Sequence, residues 1–295
     1  MKSENKSKIL IIIAMTIWGT IGIFRRYIPL SSGIIALVRG VIGSVFLILA
    51  VTISKKKFSF KDIKTNLFML CLSGALMGAN WILLFEAYEY TSVATATLCY
   101  YMEPIFVMLV SPLFLKEKLS LKKVICILVS LGGMVLVSGV VGMEEFKLSE
   151  IKGVLLGLGA AALYASVVIL NKKMKPIGAY EKTTTQLLSA TIVILPYVLI
   201  VENIGTITRL KPIAIIMLAL VGVLHTGIAY VLYFGSMSNV KAQTVALFSY
   251  IDPIVAIILS AVVLKESMGV LEIIGAVSVL GATIISEIEF KAKKA

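Results

Sequence analysis

One histidine, His225, and three cysteines are the only imidazole and thiol groups in this 295-residue chain. Cys71, Cys99 and Cys126 each lie inside an apolar run, with no CxxC pair and no Cys/His spacing, so neither a disulfide framework nor a zinc site is expected. No nucleophile stands near a histidine and an acid in a catalytic pattern, which leaves a membrane enzyme without machinery; no metal and no cofactor are expected. Polar stretches long enough for an inserted soluble domain are missing. A small-residue cleavage site is missing as well: the first apolar run ends in Arg25 and Arg26, so it reads as a retained helix, not a removable signal.

What the chain has in excess is apolar residues. Hydrophobic residues make up 59% and the mean hydropathy is +1.01, far above the roughly 45–50% apolar content of soluble domains. The chain therefore reads as an all-α integral membrane protein, since its runs are continuous and not the alternating ten-residue segments of a barrel. At about 20 apolar residues per crossing, ten spans are expected, at residues 8–25, 31–54, 65–89, 92–115, 120–140, 151–171, 180–201, 211–236, 241–264 and 269–288. The net charge of +12 comes from lysines clustered between these runs, the pattern of membrane orientation rather than nucleic-acid binding. With the N-terminus inside, 20 Lys and Arg fall in inner segments and seven in outer ones, with Arg39 left within a span. Both termini are thus expected on the cytoplasmic side of the cytoplasmic membrane.

Residues 95–117 and 244–266 are two versions of one segment. At an offset of 149, nine of their 23 positions are identical, among them Tyr101/Tyr250, Pro104/Pro253, Lys116/Lys265 and Glu117/Glu266, and the acid before the proline is kept as Glu103 or Asp252. Ten spans with this offset divide into two five-helix repeats, residues 1–145 and 146–295. Because five is odd, the second repeat enters the membrane from the opposite side. Inverted repeats of this kind are a transporter architecture, with a midplane substrate site and alternating access.

Glu103 and Asp252 fall near the centres of their spans, where an ionisable group is costly and should face a cavity or a partner. Each following proline frees the carbonyl four residues back, at Tyr100 or Ser249. Two readings stand for the pair: a substrate or coupling-proton site, or a structural kink. Tyr100 and Tyr101 flank Glu103; Tyr250 flanks Asp252; Asn80, Trp81, Tyr230, Tyr233 and Trp18 add an aromatic and amide set of the kind that lines small-molecule sites and suits an ammonium group. Arg39 either snorkels outward or meets a carboxylate or anionic substrate. His225, in mid-span, either relays protons or is structural. Glu117 and Glu266 are expected to accept from amides at the N-terminus of the helix that follows each of them. Gly74/Gly78 and Gly153/Gly157 are expected to mark close helix crossings.

The paired segments, running from LCYYMEPIFVMLVSPLFLKE to Gly132 and from LFSYIDPIVAIILSAVVLKE to Gly281, together with WGTIGIFRR and LVRG, resemble the EamA family of the drug/metabolite transporter superfamily over essentially the whole chain. Tyr164-Ala165 stands where the first repeat has Trp18-Gly19. The resemblance implies a central cavity lined by spans 1, 3, 4, 6, 8 and 9, and export of amino acids or other small metabolites by a secondary transporter. Uptake of a quaternary-ammonium compound is the alternative within transport, and a non-transporting receptor is another. The expected partners are a small-molecule substrate, the lipid bilayer and a coupling proton.

Overall fold

The computed structural model describes residues 2–54, 58–137, 141, 150–263, 265 and 269–287, and every regular element among them is helical. In chain order these are α1 (Lys2–Gly19), α2 (Ile21–Arg25), α3 (Ser32–Ile53), α4 (Phe60–Tyr90), α5 (Val93–Tyr100), α6 (Glu103–Leu115), α7 (Leu121–Val137), α8 (Ile151–Lys173), α9 (Ala179–Val201), α10 (Pro212–Leu220), α11 (Ala229–Met237), α12 (Ala242–Ser249), α13 (Ile251–Val263) and α14 (Val270–Glu287). A short 3-10 turn, Ile204–Arg209, precedes α10, and a π-helical segment, Val221–Ile228, joins α10 to α11.

Among the described residues eight helical stretches are long and apolar enough to cross a membrane: Ser3–Arg25, Ser32–Ile53, Phe60–Tyr90, Thr95–Leu115, Ile151–Lys173, Ala179–Val201, Pro212–Met237 and Ala242–Val263. The spans expected at 120–140 and 269–288 correspond to the shorter α7 and α14. These two cross closely: a Cβ on Gly133 would stand 2.7 Å from the Gly275 carbonyl oxygen, and one on Gly275 would stand 2.5 Å from that of Gly133. The burial pattern is the inverse of a soluble protein's. Leu113, Val262 and Ile200 are 79%, 71% and 83% exposed, while Ser73, Asn80, Gln186, Thr183 and Thr226 are fully buried. Such a surface is stable in hydrocarbon and not in water.

Four of the single spans expected from sequence are interrupted. The 92–115 span breaks between α5 and α6, and the 241–264 span between α12 and α13, because Pro104 and Pro253 supply no amide donor and fit the first turn of a new helix better than the middle of an old one. The first span breaks at Thr20. In the 211–236 span the ladder widens to i→i−5: the Ala229 amide bonds to Leu224 O, and Thr226 Oγ1 donates to Val221 O at 3.2 Å. Pro112 lies inside α6 without breaking it, since the Ser111 hydroxyl takes the Met108 carbonyl at 3.2 Å that a residue-112 amide would otherwise have bonded.

Small residues set the crossings as expected. A Cβ on Gly78 would stand 2.7 Å from Ala190 O of α9, and one on Gly157 would stand 2.9 Å from Cys99 Cβ of α5. Helix ends gather at two poles. Residues 58–59 and the turns 116–120, 174–178 and 238–241 share one pole with the start of α1, joined by contacts such as Ser59 N to Glu181 Oε1 at 3.2 Å, Lys175 N to Asn66 Oδ1 at 2.8 Å and Asn239 Nδ2 to Ser7 Oγ at 3.1 Å. The turns 26–31 and 91–92 lie at the other, where Thr91 Oγ1 donates to Glu150 at 2.8 Å. Lys116 and Lys265, 149 residues apart, both take the left-handed conformation, with φ of 54° and 56°, a state uncommon for any residue but glycine. The segment repeat thus extends to the backbone.

Candidate transport cavity

A cavity of about 650 Å³ lies among the helices and is walled by α1, α2, α3, α4, α5, α6, α8, the π-helical segment, α11, α12 and α13. Arg25, Ile28, Ser32 and Val93, beside the 26–31 and 91–92 turns, belong to its wall, and among the described residues none of 58–59, 116–120, 174–178 or 238–241 does. Gly22 and Arg25 are exposed, so the cavity opens toward the 26–31 pole. Arg25 is anchored there by its own loop, donating from Nη1 to Ile28 O at 2.6 Å and from Nη2 to Leu30 O at 2.8 Å.

Nine of the residues singled out from sequence reach this wall: Trp18, Arg39, Asn80, Trp81, Tyr100, Tyr101, Glu103, Tyr230 and Asp252. The two acids arrive by the same device. Each occupies the first turn of the helix that restarts after its span breaks, where the free amides and the positive dipole end favour a carboxylate. Glu103 is buried, with Oε1 lacking any hydrogen-bond partner. Asp252 sits against α1, whose Gly19 leaves room for the Asp252 carbonyl: a Cβ there would stand 2.6 Å from that oxygen. Asn80 is fixed by donation from Nδ2 to Ala160 O at 2.6 Å, and its Oδ1 is unpartnered. The Arg39 guanidinium lies 4.5 Å from the Trp81 ring centroid, a cation–π arrangement.

Three residues expected at the site do not line the cavity. Tyr233 is three residues beyond Tyr230 on α11, yet its ring is wholly buried behind the wall, 5.0 Å from the ring of Trp18. Tyr250 is equally buried and donates its hydroxyl to Tyr101 O. His225 faces α1 and α2, not the cavity. Its Nε2 and Thr20 Oγ1 are 2.8 Å apart, its ring meets Phe24 edge-on at 4.9 Å, and its carbonyl, freed by the π-helical turn, accepts from Trp18 Nε1 at 2.7 Å.

Tyr164, Thr97, Ser32 and Arg25 line the cavity without having been expected there. Tyr164 carried a signal, since it stands at the repeat position of Trp18; its ring is 6.1 Å from that of Tyr100. Span 2 also contributes to the wall, through Ser32, Ile35, Ala36 and Arg39 of α3.

The opposite pole is sealed by polar contacts between distant segments. Glu117 accepts from Ala242 N at 2.9 Å and Gln243 N at 3.5 Å, so it caps α12, not α7, the helix that follows it in sequence. Its amides are in the other half of the chain because α6 and α12 pack side by side at this pole. Glu266 lies outside the described residues. Gln243 Nε2 donates to Ser111 Oγ at 3.3 Å, Lys123 Nζ to Thr244 Oγ1 at 2.6 Å, and Lys172 Nζ to Met237 O at 3.1 Å and Val240 O at 2.5 Å.

The sequence pattern of the EamA-like transporter family matches residues 5–139 and again residues 151–287. The chain belongs to the EamA-like transporter family. As an EamA-like chain with eight membrane-length apolar helices, it is an integral, multi-pass membrane protein. Relatives agree: it is 28% identical over 261 residues to a Bacillus subtilis protein named "Uncharacterized transporter YxxF", covering 88% of this chain and 83% of that one. It is 24% identical over 278 residues to "Protein PecM" of Dickeya dadantii, covering 92% and 89%. A solved crystal structure at 16% identity shares this EamA-like fold, with a TM-score of 0.83 over 95% of this chain and 97% of that chain.

Proposed function

We propose that the protein is a secondary active transporter, not an enzyme, that exports a small metabolite, an amino acid or a related amine or zwitterion, by alternating access. The observation that carries this reading is the entry of both acid–proline segments, through Glu103 and Asp252, into one cavity open at one pole and closed at the other. Two inverted five-helix repeats, residues 1–145 and 146–295, with α7 and α14 as their fifth helices, supply the symmetry for a second state open at the other pole. The twofold family match and the left-handed pair Lys116 and Lys265 support that division. Lysines concentrated at the sealed pole support its placement on the cytoplasmic side of the cytoplasmic membrane, with both termini there. The cavity would then face outward, as the releasing state of an exporter does.

Glu103 and Asp252 bind the substrate's basic group or carry a coupling proton, within a wall of Trp18, Trp81, Tyr100, Tyr101, Tyr164 and Tyr230. Uptake of a quaternary-ammonium compound uses the same chemistry, and flux direction separates the two. The test is substrate flux in proteoliposomes with the wild type, Glu103→Gln, Asp252→Asn and the double variant. Transport should fall at least tenfold in each single variant, while monodisperse elution shows the fold intact. Full activity of the double variant sinks the assignment.

A further inference from the structure

The cavity wall carries charges of both signs that do not pair. Among the described residues Arg39 forms no ion pair with Glu103, Asp252 or any other carboxylate, and its Nε is buried without an acceptor. One face of the guanidinium is held by Trp81. Next to that ring in sequence, Asn80 also presents an unpartnered oxygen, Oδ1, to the wall. An arginine inside a membrane helix normally snorkels or finds a protein carboxylate, because its desolvated charge is costly. Here it does neither. The planar fork keeps its donors free, in the geometry that matches an oxyanion with two parallel N–H···O bonds.

We propose that Arg39 is an oxyanion subsite that binds the substrate's carboxylate, so that the transported molecule carries an acid group as well as the basic group taken by the Glu103/Asp252 side. The proposal rests on the transporter reading and narrows its substrate class to zwitterions. Charge balance favours a carboxylate over a phosphate ester: the wall holds two acids, Glu103 and Asp252, against two arginines, and only Arg39 has its fork turned to the ligand, which leaves no second free fork for a second negative charge. Arg25, at the mouth, already spends its donors on Ile28 and Leu30. Trp81 is a positioning residue, since its ring, 4.5 Å from the guanidinium carbon, holds the charge at the wall without using its N–H donors.

The test is ligand binding to the purified full-length protein in detergent, by thermal shift and calorimetry, with two matched trios: leucine, isoamylamine and 4-methylvalerate; phenylalanine, phenethylamine and 3-phenylpropionate. Within at least one trio the amino acid should bind the wild type best. Arg39→Gln should weaken it by about tenfold or more, the scale of a lost charge-assisted hydrogen-bond pair. The amine should bind Arg39→Gln as well as it binds the wild type, which also shows that the variant is folded. Arg39→Lys should recover only part of the loss, because a point charge lacks the fork. Equal weakening of amine and amino acid, unchanged amino-acid binding in Arg39→Gln, or no binding by any member to the wild type each overturns the proposal. Flux separates the two readings: binding without flux defeats the transporter and leaves Arg39 standing, whereas flux of an amino acid insensitive to Arg39→Gln defeats only the subsite.

Discussion

The Tyr250 hydroxyl donates to the carbonyl oxygen of Tyr101 at 3.1 Å, joining two residues that occupy the same position, 149 apart, in the two acid–proline segments. The break at Pro104 explains why that carbonyl is available. Ile105 N and Phe106 N both bond to Met102 O, which leaves Tyr101 O without a helical donor. A freed carbonyl inside a bundle must find another partner, and the neighbouring segment supplies it. Tyr250→Phe should therefore lower stability by ~1 kcal/mol, the usual net value of one hydrogen bond, read as a modest fall in the thermal midpoint in detergent. A fall no larger than that of a surface substitution would show that the contact does not hold the segments together.

The sealed pole depends on side chains reaching across the chain to backbone groups. Glu117 holds the two leading amides of α12, and Lys172 holds the carbonyls of Met237 and Val240 just before it. Removing a charged cap costs about 1 kcal/mol, roughly a fivefold change in a two-state population. In a background with Cys71, Cys99 and Cys126 replaced, a reporter cysteine at buried Ala242 should react with a polar maleimide several times faster in Glu117→Gln than in the parent. Unchanged labelling would mean that Glu117 does not keep this pole closed.

Much of this was legible in the sequence, and the rest failed for identifiable reasons. Length and hydropathy located the helices because hydrocarbon thickness fixes how many apolar residues a crossing needs, and the prolines marked the breaks at Tyr101 and Tyr250. Glu117 announced a helix cap but not which helix, since the amides it meets are 125 residues away and set by packing. Tyr233 and Tyr230 share a helical spacing in sequence, yet only Tyr230 reaches the cavity, and sequence spacing alone cannot say which side of a ring-lined face is hollow. The π-helical turn left no mark: nothing in VGVLHTGI distinguishes it from an ordinary turn. With it went the role of His225.

Packing at the glycines gives a paired prediction. A side chain at Gly78 meets the Ala190 carbonyl at 2.7 Å and Cα at 3.2 Å, both backbone atoms that cannot move aside without shifting α9, whereas Gly132 has nothing within 4 Å. Gly78→Leu should cost ~3 kcal/mol or more, at the upper end of overpacking penalties, and appear as loss of the monodisperse peak in size-exclusion chromatography. Gly132→Leu should elute and melt as the wild type does. Equal tolerance at both positions would contradict the α4–α9 crossing.

His225 offers the sharpest choice between chemistry and architecture. It is buried, lies outside the cavity wall and faces Thr20, Phe24 and Trp18, so its contacts are those of a spacer between the first span and the π-helical turn. A proton relay would need a path to Glu103 or Asp252, whereas the indole that bonds to the His225 carbonyl is packed edge-on by the rings of Tyr230 and Tyr233, at 4.8 and 5.0 Å. His225→Gln, which keeps a donor and an acceptor for Thr20 but does not titrate near neutral pH, should retain flux within about twofold while losing ~1 kcal/mol of stability. Trp18→Phe should destabilise more, because it strands the His225 carbonyl in a buried site, where an unmet acceptor costs about 1–3 kcal/mol. Loss of flux in His225→Gln with an unchanged thermal midpoint would instead make the imidazole part of the coupling route.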